Sequence, residues 1–510
     1  MTTWGSYAWG YADVGADIYV ALGAVVGIAA GASNIAFGFA GIVYVCIGLA
    51  YTELAAAYPI AGGGQFFVTR AIGDFMGFVA GWAVLLDFTI DISLFAWFTV
   101  GYVSSPKLIP WLAEPSNHIW YFVCVLAVAG FLTIINVIGV RQSSRINEIV
   151  AAVDVCTETF ILACGFLFAW DPGLLVHTMQ QHWPSSDDLL KGVSFAIVSF
   201  VGLESISQAA EETQRPSKVM PRTSVALILT ILIFALAYSN LVLGMHGITD
   251  ASGKEIPMYA FLGNSHNNDK AIALLAATLP YVGGALAYIV PVIGALLLMI
   301  SSNSGVFGAS RIAYSMGKFQ LLPSIFQRTN RKTKTPVITI LIFAGVALVE
   351  LLAAYRQGDD AINFLLDLYA FGAALSYTLV FIALITLRFT DPLAPRRFRM
   401  PLNVPLTVAG RKGDVSLLSL LGLAGIFAIL VFTLITHPIG RIAGPTWVLC
   451  GIAFYAIYRT RNKRPVFGSV PRDWVKLQEQ TLANAGELEM LDEYRAALAK
   501  QAAQTKPGSP

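Results

Sequence analysis

Basic residues are missing from the start of this chain: Arg70 is its first lysine or arginine. Charge is scarce throughout, at 13% of 510 residues against 56% hydrophobic. A soluble domain carries about 25% charged residues, so a water-soluble shell is excluded. The net charge of +2 gives no footprint for nucleic acid. Only five cysteines occur, Cys46, Cys124, Cys156, Cys164 and Cys450, all within apolar runs. Their spacing fits neither a disulfide framework nor a metal motif, and they are read as reduced and packed. The first ten residues have no basic residue and no small-residue cleavage site, so they are read as the start of a retained helix.

Long apolar runs fill the rest. A membrane span needs about 20 apolar residues. Runs of that kind lie near 11–30, 35–57, 75–103, 119–140, 149–170, 193–210, 223–245, 284–313, 336–355, 361–387, 416–436 and 441–458, which makes twelve. The shorter run 271–279 reads as an outer helix touching the membrane. Beyond Arg459 the chain turns polar. Pro471 and Asp473 open an amphipathic helix that runs to about Lys500, and this tail is expected to be a dispensable surface element. With both termini on one side, every basic residue falls on that side except Lys107, Lys191, Lys254, Lys270, Arg356 and Arg441. Cytoplasmic loops collect lysine and arginine, so both termini are expected in the cytoplasm of a plasma (inner) membrane protein.

Acids behave differently. Asp13 and Asp17 lie in helix 1, Asp87 and Asp91 in helix 3, Asp154 and Glu158 in helix 5, and Glu204 in helix 6. The first three pairs are spaced i, i+4, which puts both members on one helix face. Intramembrane acids are costly and face cavities. With no intramembrane base to pair them, some are protonated or some hold a cation from outside.

Four stretches then resemble the amino acid–polyamine–organocation superfamily of permeases. YTELAAAYPIAGGGQFFVTRAIGDFMGFVAGW (51–82) is similar to its acid, proline and Gly-Gly stretch before helix 3. FAIVSFVGLESISQAAEETQRPSKVMPR (195–222) resembles its glycine-interrupted helix 6, and SSNSGVFGASRIAYSMGKFQLLPSIF (301–326) its helix 8. KTPV (334–337) enters helix 9 as in that family, and YADVGADIYVALG (11–23) is a looser match. The resemblance implies an all-α fold of two five-helix units of inverted topology plus two extra helices. Here these would be a permease domain over 1–460, with repeats at about 8–170 and 190–388 and extra helices at about 416–458, then a tail over 461–510. It also implies broken helices 1 and 6, at Gly15-Ala16-Asp17 and Gly202-Leu203-Glu204, where interrupted helices mark the binding site.

On that resemblance, Gly15, Ala16, Asp17, Tyr19, Asp87, Phe88, Asp91, Phe200, Gly202 and Glu204 are the candidate substrate site. The family has a small residue at the place of Asp17, with free N–H groups for a substrate carboxylate. A carboxylate there repels one. Asp17 is therefore protonated, or the site takes an amine or bare cation, or Asp17 caps the second half-helix. Asp87-Phe88 resembles the Asp-Tyr pair of the potassium-importing branch. Asp154 falls where proton-coupled members carry a lysine, so Asp154 and Glu158, with Ser301 and Ser302, are candidates for proton or cation coupling. Glu211, Glu212, Arg215 and Arg222 form a solvated cluster or a surface gate, Glu53 is structural, and Tyr314 is a possible cavity aromatic.

The expected activity is secondary transport of amino acids or amines, coupled to H+ or Na+, from an acidic central cavity. Potassium or another inorganic cation is the alternative cargo. The partners are a small-molecule substrate, the coupling ion and the lipid bilayer. No cofactor, no resident metal and no nucleic acid are expected. A membrane aspartyl enzyme built on Asp17 and Asp87 is disfavoured, since no Gly-Asp motif of that kind occurs in a later helix. A tail-signalling sensor is disfavoured because the tail is short.

Overall fold

The computed structural model describes residues 2–60, 62–139, 144–208, 213, 215–249 and 252–505. Arg141, Glu211 and Glu212 lie outside the described residues. The fold is almost wholly helical. Its first half comprises α1 (Thr3–Ala29), α2 (Ser33–Ala57), α3 (Gly63–Ile72), α4 (Asp74–Val103), α5 (His118–Ile138), α6 (Ser144–Phe168) and α7 (Pro172–Gln181). Then come α8 (Ser186–Ala196), α9 (Glu204–Gln208), α10 (Pro216–Gly244), α11 (Met258–Leu262), α12 (Ala271–Ala277) and α13 (Gly283–Lys318). The chain closes with α14 (Val337–Arg356), α15 (Ala361–Thr390), α16 (Leu417–Thr436), α17 (Gly440–Arg461), α18 (Trp474–Asn484) and α19 (Leu488–Thr505). An exposed antiparallel hairpin, Asn403–Val408 with Arg411–Ser416, links α15 to α16.

Among the described residues, ten helical runs are long and apolar enough to cross a membrane. The first, Thr3–Ala57, is two helices joined by a single turn at Ala30–Ala32. Burial sorts the runs into layers. The apolar window of α4 is 94% buried and that of α15 is 78%, whereas that of α5 is 17%. An apolar helix left this open within the protein faces lipid, as Phe131 and Ile134 of α5 do. So α1, α4 and α15 form the centre, and α5, α14, α16 and α17 the rim.

Three expectations are corrected here. Helix 1 is not broken: α1 runs without interruption through Gly15-Ala16-Asp17. One glycine costs a helix about 1 kcal/mol, too little to unwind a segment that is buried all round. The run 271–279 is not an outer helix, because α12 is buried along Ala271–Ala276 against α13 and α1. Nor are all the cysteines packed: all five are free thiols, but Cys156 and Cys450 are exposed on the rim.

The polar tail is fastened to the bundle. Asp74, 1% exposed at the start of α4, takes Arg472 at 2.5 Å, Arg459 at 3.3 Å and the Val470 amide at 2.9 Å. Arg472 also donates to the Phe319 carbonyl beyond α13 at 2.6 Å. Gln478 of α18, fully buried, accepts from Arg70 at 3.2 Å and donates to the last carbonyl of α2, Ala57, at 2.8 Å. Glu487 accepts from the Ser217 amide at the start of α10, at 2.8 Å. The same end of the bundle holds Glu53 in a bidentate pair with Arg388, at 3.0 and 2.5 Å.

Candidate functional site

Helical geometry divides the buried acids into two groups. Residues advance by about 100° along an α-helix, so Tyr11, Gly15 and Tyr19 share one face of α1. Asp13 and Asp17 lie on the opposite face.

On the first face, α6 presents Asp154 and Glu158, both 0% exposed. The Tyr11 hydroxyl lies 2.8 Å from Asp154 Oδ2 and 3.0 Å from Glu158 Oε2. The Tyr19 hydroxyl donates to Asp154 Oδ1 at 2.6 Å. To reach α6 the Tyr11 ring crosses Gly15, where an added Cβ would stand 2.8 Å from its Cζ. Gly15 therefore makes room for Tyr11, and this role replaces the unwinding assigned to it. In the unbroken helix, Gly15 and Ala16 have no free N–H groups for a carboxylate. Tyr19 belongs to this group, away from Asp17.

On the opposite face, Asp13, Asp17, Asp87, Asp91 and Glu204 lie within electrostatic reach of one another, each 4% exposed or less. Neither oxygen of Asp17 has a hydrogen-bond partner among the described residues, and one oxygen each of Asp13, Asp87 and Asp91 has none. Glu204 accepts from Tyr377 of α15 at 2.7 Å.

Helix 6 is interrupted where the sequence indicates. A 3₁₀ turn, Ile197–Phe200, follows α8, and Val201–Leu203 are non-helical before Glu204 opens α9. Gly202 has φ +98°, and a Cβ there would meet Asp13 Oδ2 at 3.1 Å and the Val14 amide nitrogen at 3.2 Å. Only glycine accepts that dihedral and that approach of backbone to α1. On α4, Gly305 of α13 closes on the Asp91 Cβ and the Phe88 carbonyl, and Gly308 on the Phe88 ring. Phe200 stacks on Tyr44 at 4.7 Å.

The remaining candidates separate. Ser302 donates to the Ile92 carbonyl of α4 at 3.0 Å, so its hydroxyl is committed to helix packing. Ser301 stands beside Asp13 without a hydrogen bond of good geometry, on the side of the five-acid group and not of Asp154. Tyr314 is 41% exposed. Arg215 gives its amide to Ala485 of the tail at 3.2 Å.

Sequence reasoning left Tyr11, Tyr377 and Glu350 unassigned. Glu350, buried in α14, accepts from Thr89 at 2.7 Å and Ser93 at 3.0 Å of α4. Its place in the apolar run VALVELL was the signal. A separate cavity of about 520 Å³ is lined by Trp97, Tyr121, Asp269, Lys270, Tyr355 and Arg356, and none of the buried acids above borders it.

A bundle of apolar helices wrapped round buried acids, with one central helix interrupted, is the architecture of a membrane transporter. Residues 3–457 match the model of the amino acid permease family, and the chain belongs to that family, within the amino acid–polyamine–organocation superfamily. It is a multi-pass membrane transporter and not an enzyme. It is 24% identical to the branched-chain amino acid permease of Bacillus subtilis, over 89% of this chain and 91% of that protein. It is 27% identical to the low-affinity putrescine importer of Escherichia coli, over 72% and 76%. With the vacuolar cationic amino acid transporter 4 of Arabidopsis thaliana it shares 25% identity, over 74% of this chain and 61% of that protein's length. The crystal structure of a manganese transporter from Eremococcus coleocola aligns over 97% of this chain and 94% of its own, at TM-score 0.49 and 11% identity.

Proposed function

We propose that this permease carries a positively charged amino acid or amine, held by Asp13, Asp17, Asp87, Asp91 and Glu204 between α1, the break at Gly202 and α4. One observation carries the reading: the Asp17 carboxylate is 1% exposed, has no hydrogen-bond partner among the described residues, and is ringed by other acids. A buried carboxylate is retained when it is protonated or meets a cation that donates to it. An ammonium or guanidinium supplies both charge and donors. Two of the relatives are named for cationic amino acids and for putrescine, which agrees in charge. Phe88, Phe200 and Tyr377 supply the apolar and phenolic wall.

The coupling ion is a proton, carried at Asp154 and Glu158. The Tyr11 hydroxyl has one proton and contacts both carboxyl groups. It donates to one and accepts from the other, so that second carboxyl carries a proton of its own. Counting Thr3–Ala57 as two crossings and α8–α9 as one interrupted crossing brings the spans to twelve. Both termini, with the clustered arginines, then lie in the cytoplasm.

Purified protein in proteoliposomes tests this directly. Uptake of arginine, lysine or putrescine that outcompetes leucine, and that alkalinises the outer medium, is the expected result. Transport of leucine alone, or of potassium alone, overturns the organic-cation reading.

A further inference from the structure

Between α15 and α16 the chain leaves the bundle as the hairpin Asn403–Val408 with Arg411–Ser416. Side chains alternate between faces along a strand, so Val404, Leu406 and Val408 share one face. All three are exposed, at 38, 46 and 53%, and Leu402 at the root of the strand is 60% exposed. Their cross-strand partners Val415, Gly413 and Arg411 lie on the same face. Val415 is buried, and Phe389 of α15 covers Gly413. The face is thus packed on the bundle along its second strand and open along its first. A bare apolar strand at a sheet edge is an association hazard that proteins ordinarily cover or charge.

The position of the root indicates what covers this one. α16 follows the hairpin without a linker, and Leu417, its first residue, gives its amide to the Leu402 carbonyl at 3.0 Å. The 20 residues of α16 span about 30 Å, the thickness of the hydrocarbon core. Leu417, Leu420 and Leu421 in its first two turns are exposed, as the lipid-facing side of a rim helix is. A helix of that length begins where the hydrocarbon ends, so the hairpin starts at the level of the headgroups. Its strands go no deeper, because unpaired strand edges do not occur in hydrocarbon.

Charge agrees. Residues 402–416 include two bases, Arg411 and Lys412 at the tip, both exposed, and one acid. That acid, Asp414, is held by Arg399 at 3.5 Å and Arg388 at 3.7 Å. An apolar face bordered by lysine and arginine is the pattern of segments that lie in a membrane interface, where the cations meet anionic headgroups. A second copy fits less well. Two copies in one membrane point their hairpins the same way, so pairing them sets the basic tips side by side. Pro405 also lacks the amide that pairing of the first strand's edge needs.

We propose that this hairpin is a lipid-binding element. The open face of Val404, Leu406 and Val408 rests on the leaflet at the tail end of the bundle, and Arg411 and Lys412 hold anionic phospholipid headgroups. The element is separate from both acid groups and stands whatever the cargo proves to be.

The test uses the full chain in lipid nanodiscs, with Cys124, Cys156 and Cys450 changed to serine so that only an introduced thiol reacts. A nitroxide is placed at Leu406→Cys on the apolar face, or at Thr407→Cys on the other. If Leu406→Cys does not insert, Val404→Cys reports the same face. Electron paramagnetic resonance then compares collisions with oxygen, which concentrates in the bilayer, and with a water-soluble nickel chelate. In discs of phosphatidylcholine mixed with phosphatidylglycerol, the oxygen-to-nickel ratio at 406 is expected to exceed that at 407 several-fold. Equal ratios leave the face in water and overturn the proposal. A label at 406 shielded from both reagents reveals a protein contact and overturns it too. Arg411→Gln/Lys412→Gln in the mixed discs is expected to raise nickel collisions at 406 to the level found in phosphatidylcholine alone. Collisions that stay at the parent's value overturn the role of the headgroups.

Discussion

Tyr11 meets Asp154 across a glycine. The ring passes over Gly15 and places its hydroxyl 2.8 Å from Asp154 Oδ2 on the neighbouring helix. Gly15→Leu therefore displaces the phenol and leaves α1 helical. Its uptake defect should match that of Tyr11→Phe, and Gly15→Ala/Tyr11→Ala should be no worse than Tyr11→Ala alone. Additive losses in this cycle, measured as initial uptake rates, would return Gly15 to an unwinding role.

Asp154 and Glu158 carry the coupling in our reading. Asp154→Asn should leave binding of a cationic amino acid within about threefold, since the carboxylates that face the cargo are untouched. Concentrative uptake driven by a pH gradient should fall by about tenfold or more, on the scale of one charged hydrogen bond. Accumulation ratios in proteoliposomes with and without the gradient decide it.

Asp17 should behave in the opposite way. Asp17→Asn removes a buried charge partner, a loss of order 3–5 kcal/mol or several hundred-fold in affinity for a cationic cargo. A neutral amino acid should bind the variant as well as it binds the parent, or better. Scintillation proximity binding with labelled arginine and leucine measures both. Equal arginine affinity in parent and variant would make Asp17 structural.

Gly202 is held at φ +98° with α1 close against it. A residue with a Cβ pays about 1–2 kcal/mol for that dihedral and collides with Asp13 and the Val14 amide as well. Gly202→Leu should insert in the membrane at normal levels and transport nothing. Gly202→Ala should retain a small fraction of the rate. Surface biotinylation with uptake separates loss of insertion from loss of transport.

The tail is expected to matter. Ending the chain at Pro471 deletes Arg472, Gln478 and Glu487, which hold the ends of α2, α4, α10 and α13 together. Removing one partner of a buried ion pair costs about 3–5 kcal/mol, and Arg459 softens that by staying on Asp74. The truncated protein should melt several degrees lower in detergent, and Arg472→Ala should reproduce most of the shift. An unchanged melting temperature would make the tail the passive surface element its composition suggests.

How much of this was legible differs from element to element. The spans and the intramembrane acids stand out because each rests on local chemistry: apolar length, or a charge where none belongs. The break at Gly202 was legible for the same reason, with an acid two residues after a glycine in an apolar helix. The identical pattern at Gly15 misled. Whether a glycine bends its helix or admits a neighbour's ring depends on Tyr11 and on α6, which no local pattern reports. The two faces of α1 were present in the spacing of Tyr11, Gly15 and Tyr19 against Asp13 and Asp17, but became a division only once α4 and α6 stood on opposite sides. The docking of α18 joins residues far apart in sequence, and nothing near any one of them announces the others.

The pairing of Asp74 with Arg472 also bears on how the protein is made. The two residues are 398 positions apart. Asp74 is made early in synthesis, while the two arginines that neutralise it follow 385 and 398 residues later. Until translation has passed that point, the nascent chain carries a bare carboxylate at the foot of α4, and its packing stays incomplete. Pairing of Asp74 thus reports that translation has passed Arg472, and a product terminated before that point would display an incompletely paired carboxylate that membrane quality-control proteases could recognise.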